Sequence, residues 1–285
     1  MPIYSMESVA RAICAGLGYS FGGGIGQGAF KETYLVTKAD GTKLAVKVLR
    51  PGCSTDRSGR EVDAMKKCEH PNIIALLELA EFEHIGTKYG YIVEKFMEGG
   101  TLDDRLKKSL LSRDETLDLG DELIRAVAHI ADNELVHRDL KPPNIMYPAA
   151  GAEAMVGDFG IVRDLSKTSI TPSYFMSGPG TPFFASPEQL NNEKTLIDWR
   201  SDQFSLGVTL AMAHFGFHPY REDGEDDNQA ITRVAARRGP SAKFSQAVTS
   251  AKLPVLVRMV APWPAERVRT PGELLDDWRT QKASN

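Results

Sequence analysis

The amino-acid sequence predicts an α+β fold in which a small sheet-rich part with one main helix precedes a larger, mostly helical part. Two alternating apolar runs flank Asp40-Gly41, a dipeptide that favours a tight turn, and predict a β-hairpin over residues 33–49. After residue 97, four apolar residues recur at helical spacing: Leu119, Leu123, Val127 and Ile130. Residues 201–215 are apolar nearly all round, which is typical of a helix at the centre of a domain.

Three further segments complete the first part. Residues 5–15, with Val9 and Ile13 on one side, predict a short helix. This helix could pack on the domain or act as a small regulatory arm, and we favour simple packing. The segment REVDAMKKC, residues 60–68, has helical character, and YGYIVEKF, residues 89–96, returns to strand character.

The composition is that of a soluble globular protein. The chain has 285 residues, of which 42% are hydrophobic and 25% are charged, and a net charge of -4. This charge provides no basic field for nucleic acid, and no apolar stretch approaches the roughly 20 residues needed to cross a membrane. We therefore expect neither nucleic-acid binding nor membrane insertion, and the sequence does not indicate an oligomeric state.

The cysteines and the N-terminus indicate a reducing compartment. Cys14, Cys53 and Cys68 are far apart, which argues against a disulfide framework and against a zinc knuckle. The N-terminus lacks a basic region followed by an apolar one, so no secretory signal is expected. A cytoplasmic location is the simplest expectation.

A glycine-rich stretch, GGGIGQGAFKETY, precedes the predicted hairpin. Gly26 and Gly28 occupy the first two positions of a G-x-G-x-x-G pattern, and Lys31 stands at the third. On its own, the stretch is explained equally well by a phosphate-binding loop or by a flexible turn.

Two later segments carry most of the chemical information. VHRDLKPPNIMY contains Asp139, Lys141 and Asn144 within six residues, and its two prolines prevent a helix. VGDFGIVRD contains Asp158, after a short apolar stretch. Two carboxylates and an amide on neighbouring loops suit Mg²⁺ and phosphate chemistry, because Mg²⁺ prefers oxygen ligands. Turn capping would explain any one of these residues, but not the combination.

With these segments the chain resembles the serine/threonine type of protein kinase. The resemblance covers residues from about 25 to 275 and keeps the family's order: glycine-rich loop, LAVKVL, an acidic helix residue, HRD, DFG, and SPE in place of the usual APE. It implies a single bilobal catalytic domain, with an N-lobe over residues 1–97 and a C-lobe over residues 98–285. It also implies transfer of the γ-phosphoryl group of ATP to Ser or Thr of a protein substrate, with Mg²⁺ as the metal and Mn²⁺ as an alternative.

The resemblance gives the residues of the two key segments their roles. Asp139 would accept the proton of the substrate hydroxyl, and Lys141 would neutralise charge on the transferred phosphoryl group. Asn144 and Asp158 would hold Mg²⁺ between the phosphates of ATP.

A lysine of the first part has a role of the same kind. Lys47, in AVKV, would bind the α- and β-phosphates while paired with Glu61. Glu69 is the second candidate for this pairing. It is less favoured because it lies next to His70-Pro71, which resembles the family's segment after the helix.

The resemblance also implies a nucleotide pocket. Its residues would come from the glycine-rich loop, from the walls around adenine and from the hinge: Ile25, Gly26, Gly28, Thr33, Ala45, Met146, Glu94, Lys95 and Met97. The chain departs from the family at Thr33, where valine is usual, and at Glu94, which stands at the back of the pocket where an apolar residue or threonine is usual. Lys95 replaces the usual hinge acid. Shifting the alignment by one residue would restore that acid but misplace the EGGTL segment.

The unusual Glu94 has consequences of its own. If Glu94 faces the back of the pocket, its carboxylate must pair with another group or ionise in a confined space. It would also obstruct many ATP-competitive inhibitors.

Other positions bear on control and specificity. Arg138 precedes the catalytic Asp, which in the family accompanies activation by phosphorylation of the following loop, and we favour Ser173 and Ser177 as the phosphorylated residues. Lys141 is typical of serine/threonine specificity, and Thr181 resembles the threonine that contacts the catalytic Asp and Lys.

Several residues resemble structural members of the family's C-lobe. Glu188 and Arg267 resemble its buried ion pair, and Asp202 resembles the residue that holds the HRD backbone. His214 and His218 lie four residues apart but lack the glutamate of the metalloprotease pattern, so a metal site is not expected there.

Other functions remain open at this point. A pseudokinase is disfavoured because Lys47, Glu61, Asp139, Asn144 and Asp158 are all present. A small-molecule phosphotransferase is disfavoured because the chain has a GTPxxxSPE segment, which such enzymes lack. A non-enzymatic binding module is the remaining alternative. The compact chain resembles stand-alone bacterial or phage kinases as much as eukaryotic ones.

Overall fold

The computed structural model describes residues 5–28, 30–51, 66, 68–158 and 182–284. These residues form two compact units. The first contains the described residues up to 69 together with 74–97, and the second contains 70–73 and the described residues from 98 onward. The predicted α+β class is confirmed, because strands dominate the first unit and helices the second.

The first unit contains a helix and an antiparallel sheet. The strand order is β1-β2-β3-β5-β4. The elements are α1 (Glu7–Leu17), β1 (Ser20–Gln27), β2 (Lys31–Thr37), β3 (Lys43–Leu49), β4 (Leu76–His84) and β5 (Thr87–Lys95). The predicted hairpin joins β2 to β3, and its turn uses Gly41 at φ 86°, a conformation that glycine adopts without steric cost.

Helix α1 covers one face of this sheet. Its buried side chains recur at helical spacing: Val9, Ala10, Ile13 and Cys14. They form one hydrophobic core with buried residues of β2, β3 and β5. The helix ends at Gly18, which has φ 71° and donates its N–H to the Ala15 carbonyl at 3.3 Å. The short N-terminal helix thus packs on the domain.

The second unit is mostly helical. Its elements are α2 (Leu102–Leu106), α3 (Arg113–Asp132), β6 (Ile145–Met146), β7 (Met155–Val156), α4 (Pro187–Leu190), α5 (Trp199–Phe215), α6 (Asp227–Ala235), α7 (Ala242–Ala251), α8 (Val255–Met259) and α9 (Pro271–Ala283). No helix among the residues placed by the structure has the length and apolar character needed to cross a membrane.

Helices α3 and α5 form the centre of this unit. Helix α3 starts at a capping box of Ser112 and Glu115 and buries the four apolar residues predicted from their spacing. Helix α5 is buried on nearly all sides, as its composition predicted. Helix α9 packs closely on α3 at Gly120, where the absence of a side chain makes room for the Trp278 ring. The Nε1 of Trp278 donates to the Leu117 carbonyl at 2.9 Å.

Candidate active site

In the first unit, the sheet register gathers predicted nucleotide residues on the face opposite α1. Gly26 pairs with Thr33 across β1 and β2, and Thr33 pairs with Lys47 across β2 and β3. Ala45 pairs with Glu94 across β3 and β5. Directly paired residues of antiparallel strands project to the same face, so all five positions share it.

Lys47 and Glu94 form a buried ion pair on this face. The Nζ of Lys47 bonds to the Oε2 of Glu94, and the two side chains are only 5% and 4% exposed. The carboxylate at the unusual position therefore has a partner. Glu61, the predicted partner of Lys47, lies outside the described residues.

The glycine-rich turn is braced by hydrogen bonds of its own unit. Gly28 donates its N–H to the Lys31 carbonyl at 2.8 Å, and Arg50 reaches the Gly28 carbonyl at 3.4 Å. Because Gly26 is the register partner of Thr33, the missing side chain leaves the sheet face open beside Thr33. Such an opening lets backbone groups approach a phosphate closely.

A buried carboxylate links this turn to α1. Glu32 accepts hydrogen bonds from the Met6 backbone N–H at 2.9 Å, from Arg50 at 3.1 Å and from Gln27 at 3.2 Å, and the Tyr34 hydroxyl also donates to it. Sequence reasoning missed this cluster.

The remaining predicted pocket residues of this unit differ in exposure. Ile25 on β1, a strand at the edge of the sheet, is 46% exposed. Lys95, at the end of β5, is exposed, whereas Met97 is buried. Phe96, between them, donates its N–H to the Lys43 carbonyl at 3.3 Å.

In the second unit, the side chains of Lys141 and Asn144 converge on Asp139. The Nζ of Lys141 lies 2.9 Å from one carboxylate oxygen of Asp139 and 3.1 Å from the other. The Nδ2 of Asn144 donates to the Asp139 carboxylate at 3.0 Å and to its backbone carbonyl at 2.7 Å. The loop that holds these residues contains a 3₁₀ turn at Pro142–Asn144.

Asp202 on α5 clamps the backbone that precedes Asp139. Its carboxylate accepts hydrogen bonds from the N–H groups of His137 at 2.7 Å and of Arg138 at 2.8 Å. Burial raises the pKa of the Asp202 carboxyl to about 7, although these two N–H groups act in the opposite direction. Gln189 on α4 donates to the Arg138 carbonyl at 2.9 Å, a contact across 51 residues that no sequence signal indicated.

The β6–β7 ribbon brings Asp158 to the same loop. Ile145 pairs with Val156, so the chain before β6 faces the chain after β7, and Gly157 donates its N–H to the Asn144 carbonyl at 2.9 Å. His137 bonds through Nε2 to the Gly157 carbonyl at 2.9 Å. Asp158 itself has φ 61°, which is uncommon for a residue with a side chain and typical of constrained functional positions. Met146, the predicted adenine contact of this unit, lies on β6.

These residues fit a divalent cation. Both donor contacts of Asn144 use its Nδ2, so its Oδ1 is the atom turned away from Asp139. An amide oxygen and the Asp158 carboxylate are ligand types that Mg²⁺ accepts.

The predicted buried ion pair between Glu188 and Arg267 is present, next to the loop that contains Asp139. Arg267 bonds to Glu188 with two parallel contacts, of 2.6 and 3.0 Å, and neither side chain is exposed. Although burial alone would raise the pKa of Glu188, Arg267 and Ser201 hold it below its usual value. The predicted control residues Ser173, Ser177 and Thr181 lie outside the described residues.

Comparison with known proteins places this geometry in context. Residues 19–278 match the family model of the protein kinase domain. The chain is 31% identical to serine/threonine-protein kinase PrkC of Bacillus subtilis over 90% of this chain and 39% of that protein. It is 33% identical to a probable serine/threonine-protein kinase PknB of Lactococcus lactis, over 63% of this chain and 28% of that protein. Myosin light chain kinase A of Dictyostelium discoideum is 32% identical over 72% of this chain and 69% of its own length. The chain thus spans well under half of the two bacterial relatives.

Proposed function

The chain belongs to the protein kinase family, and from this premise we propose that it is an ATP-dependent protein kinase that phosphorylates Ser and Thr. The observation that carries the proposal is the convergence of Lys141 and Asn144 on the Asp139 carboxylate. The bacterial relatives that it resembles bear the names of serine/threonine-protein kinases.

Asp139 is the proposed acceptor of the substrate proton. Its carboxylate is fixed by Lys141 and Asn144, while Asp202 fixes the backbone just before it. A carboxylate oriented in this way can align the attacking hydroxyl and take up its proton as the new O–P bond forms and the bond between the γ-phosphorus and the leaving ADP breaks.

Two lysines are proposed to balance phosphate charge. Lys141 lies beside Asp139, where it would contact the transferred phosphoryl group. Lys47 lies on the sheet face shared with Gly26 and Thr33, where it would bind the α- and β-phosphates. Positioning and charge neutralisation are the main demands of phosphoryl transfer.

Asn144 and Asp158 are the proposed ligands of Mg²⁺. A bound Mg²⁺ would supply positive charge to the phosphate oxygens of ATP. In the part of the chain that the structure describes, no three acidic, histidine or cysteine side chains are gathered around a metal position. The two ligands would share the ion with phosphate oxygens, which is how proteins commonly bind Mg²⁺.

Phosphorylation of the loop after Asp158 is the proposed control. The Nε of Arg138 is buried and finds no hydrogen-bond partner among the described residues, so an anion nearby would satisfy it. Ser173 and Ser177 remain the proposed phosphorylation sites. Thr181 remains the proposed contact of the catalytic pair.

A cytoplasmic location is also part of the proposal. Cys14 and Cys68 are free and buried, and burial raises the pKa of Cys68 to about 11, which keeps the thiol protonated and unreactive. Free cysteines suit a reducing compartment.

Transfer of labelled phosphate from ATP to casein or myelin basic protein, followed by phosphoamino-acid analysis, tests the proposal. Label on phosphoserine or phosphothreonine is expected with wild type and not with Asp139→Asn. Asp118→Asn is the matched control, because that carboxylate is exposed on α3 and, among the residues that the structure places, bonds only to the exposed Lys282 at 2.6 Å. Absence of label on any protein, or label on a small-molecule acceptor alone, would refute the proposed activity.

A further inference from the structure

We propose that Glu94 is a positioning residue that holds Lys47 toward the nucleotide phosphates from within the sheet. The proposal rests on the proposed function, because it takes Lys47 as a phosphate ligand. Its structural basis is the buried contact between the Lys47 Nζ and the Glu94 Oε2.

The strand register makes this pair an intrinsic part of the sheet. Glu94 on β5 lies directly opposite Ala45 on β3. Lys47 lies two residues after Ala45 on β3, on the same face of the sheet. Diagonal neighbours of this kind are within reach of long side chains. The methyl group of Ala45 is small, so it leaves the path between the two charged groups open.

Glu94 is held firmly by its own strand. β5 lies between β3 and β4, and Glu94 has register partners on both sides, Ala45 and Leu76. The backbone that carries this carboxylate is therefore fixed by the same sheet that carries Lys47.

Burial makes the pair hard to separate. The side chains of Lys47 and Glu94 are both at least 95% buried. A buried ammonium without a nearby carboxylate carries a large desolvation cost. Whatever else contacts Lys47, the carboxylate of Glu94 offsets part of the cost of burying its ammonium group. An ammonium has three N–H donors, so one lysine can bond to a carboxylate and to a phosphate oxygen at the same time.

The affinities of MgATP and of adenosine, measured separately by calorimetry, test the proposal. Only MgATP carries phosphates, so the ratio of the two dissociation constants separates the contacts to the phosphates, that of Lys47 among them, from the contacts to adenosine. We expect Glu94→Gln to weaken MgATP binding, relative to adenosine, by about tenfold or more, since charge-assisted hydrogen bonds are worth that much. In a Lys47→Met background, the same substitution is expected to leave the ratio unchanged.

Glu78→Gln is the matched control. Glu78 lies on the neighbouring strand β4 and accepts a hydrogen bond from the Tyr91 hydroxyl at 2.6 Å, away from the Lys47 pair. It should leave the ratio at the wild-type value. Glu94→Asp keeps the charge on a shorter side chain and should give an intermediate ratio, and it carries the test if the Gln variant does not fold.

Two results would overturn the proposal. An unchanged ratio in Glu94→Gln would mean that Glu94 does not act through Lys47. A ratio shifted in favour of MgATP would mean that Glu94 competes with phosphate for the lysine. Because these are binding measurements, an inactive wild type that still binds MgATP would refute the proposed activity without deciding the role of Glu94.

Discussion

The buried carboxylate of Asp202 accepts a hydrogen bond from the backbone N–H of Arg138, at 2.8 Å, and Arg138 has φ 69°. A residue with a side chain adopts this left-handed conformation only when its surroundings hold it there. The bond therefore connects the centre of α5 to the backbone that orients Asp139.

Asp202→Asn is expected to lower kcat by about tenfold or more while changing the KM for ATP little. The amide retains one acceptor, but its NH₂ group would face a backbone N–H donor, so one of the two bonds is lost, which costs about 1–3 kcal/mol. Steady-state kinetics with circular dichroism at matched temperature provides the measurement. Asp227→Asn, an exposed substitution at the start of α6, is the control, and a wild-type kcat in Asp202→Asn would show that the clamp does not orient Asp139.

His218 is expected to make stability depend on pH. The Nε2 of its ring lies 3.0 Å from the Phe183 carbonyl oxygen, and the Nδ1 accepts a hydrogen bond from the Tyr220 N–H at 3.1 Å. Burial lowers the pKa of His218 to about 4. Because the folded pKa lies below the unfolded value of about 6.5, the stabilisation is fully present above pH 6.5 and is lost as pH falls toward 4. The loss should amount to about 2 kcal/mol between pH 7 and pH 5.

Urea unfolding of wild type and His218→Gln at these two pH values measures the effect. The variant should show a smaller pH dependence than wild type, whereas His84→Gln should match wild type. Equal losses of stability in wild type and His218→Gln would mean that this ring does not titrate as its surroundings indicate.

Breaking the Glu188–Arg267 pair is expected to cost more than removing it. Arg267→Met leaves the fully buried Glu188 without its cation and should lower the free energy of unfolding by about 3–5 kcal/mol. The double change Glu188→Leu with Arg267→Met should be less destabilising than the single one, since no buried charge is left unpaired. Chemical denaturation would contradict this if the double variant were the less stable of the two.

Glu32→Ala is expected to destabilise the protein by about 2–4 kcal/mol, because several buried groups then lose their acceptor. These donors are the Met6 N–H, the Tyr34 hydroxyl and the Arg50 guanidinium. Glu7→Ala removes an exposed contact of 2.7 Å to Arg11 and should cost no more than about 0.5 kcal/mol. Thermal unfolding of both variants compares them, and equal shifts in Tm would argue against a special role of Glu32.

The sequence could predict the two-part α+β fold because its two halves differ in hydrophobic period. The hairpin at Asp40-Gly41 and the buried face of α3 could be predicted from their hydrophobic periods in the same way. Asp139, Lys141 and Asn144 could be singled out as a group because they are close in sequence, and the structure brings their side chains together.

The contacts between distant residues could not be predicted in the same way. The Lys47–Glu94 pair depends on the register between β3 and β5, which no turn joins directly. The hydrogen bond from Gln189 to the Arg138 carbonyl forms only when the fold brings α4 next to Arg138. Glu32 did leave a signal, because it shares the alternating phase of the apolar residues Tyr34 and Val36. A charged residue in an apolar phase points to a buried polar cluster.

Intact-mass and phosphopeptide analysis after incubation with ATP and Mg²⁺ tests the proposed kinase activity most directly. Wild type should gain phosphate on Ser or Thr, including residues within 166–181, whereas Asp139→Asn and Asp158→Ala should remain unmodified. A wild type that binds ATP, stays unmodified and fails to phosphorylate other proteins would contradict the account and favour a pseudokinase or a small-molecule phosphotransferase.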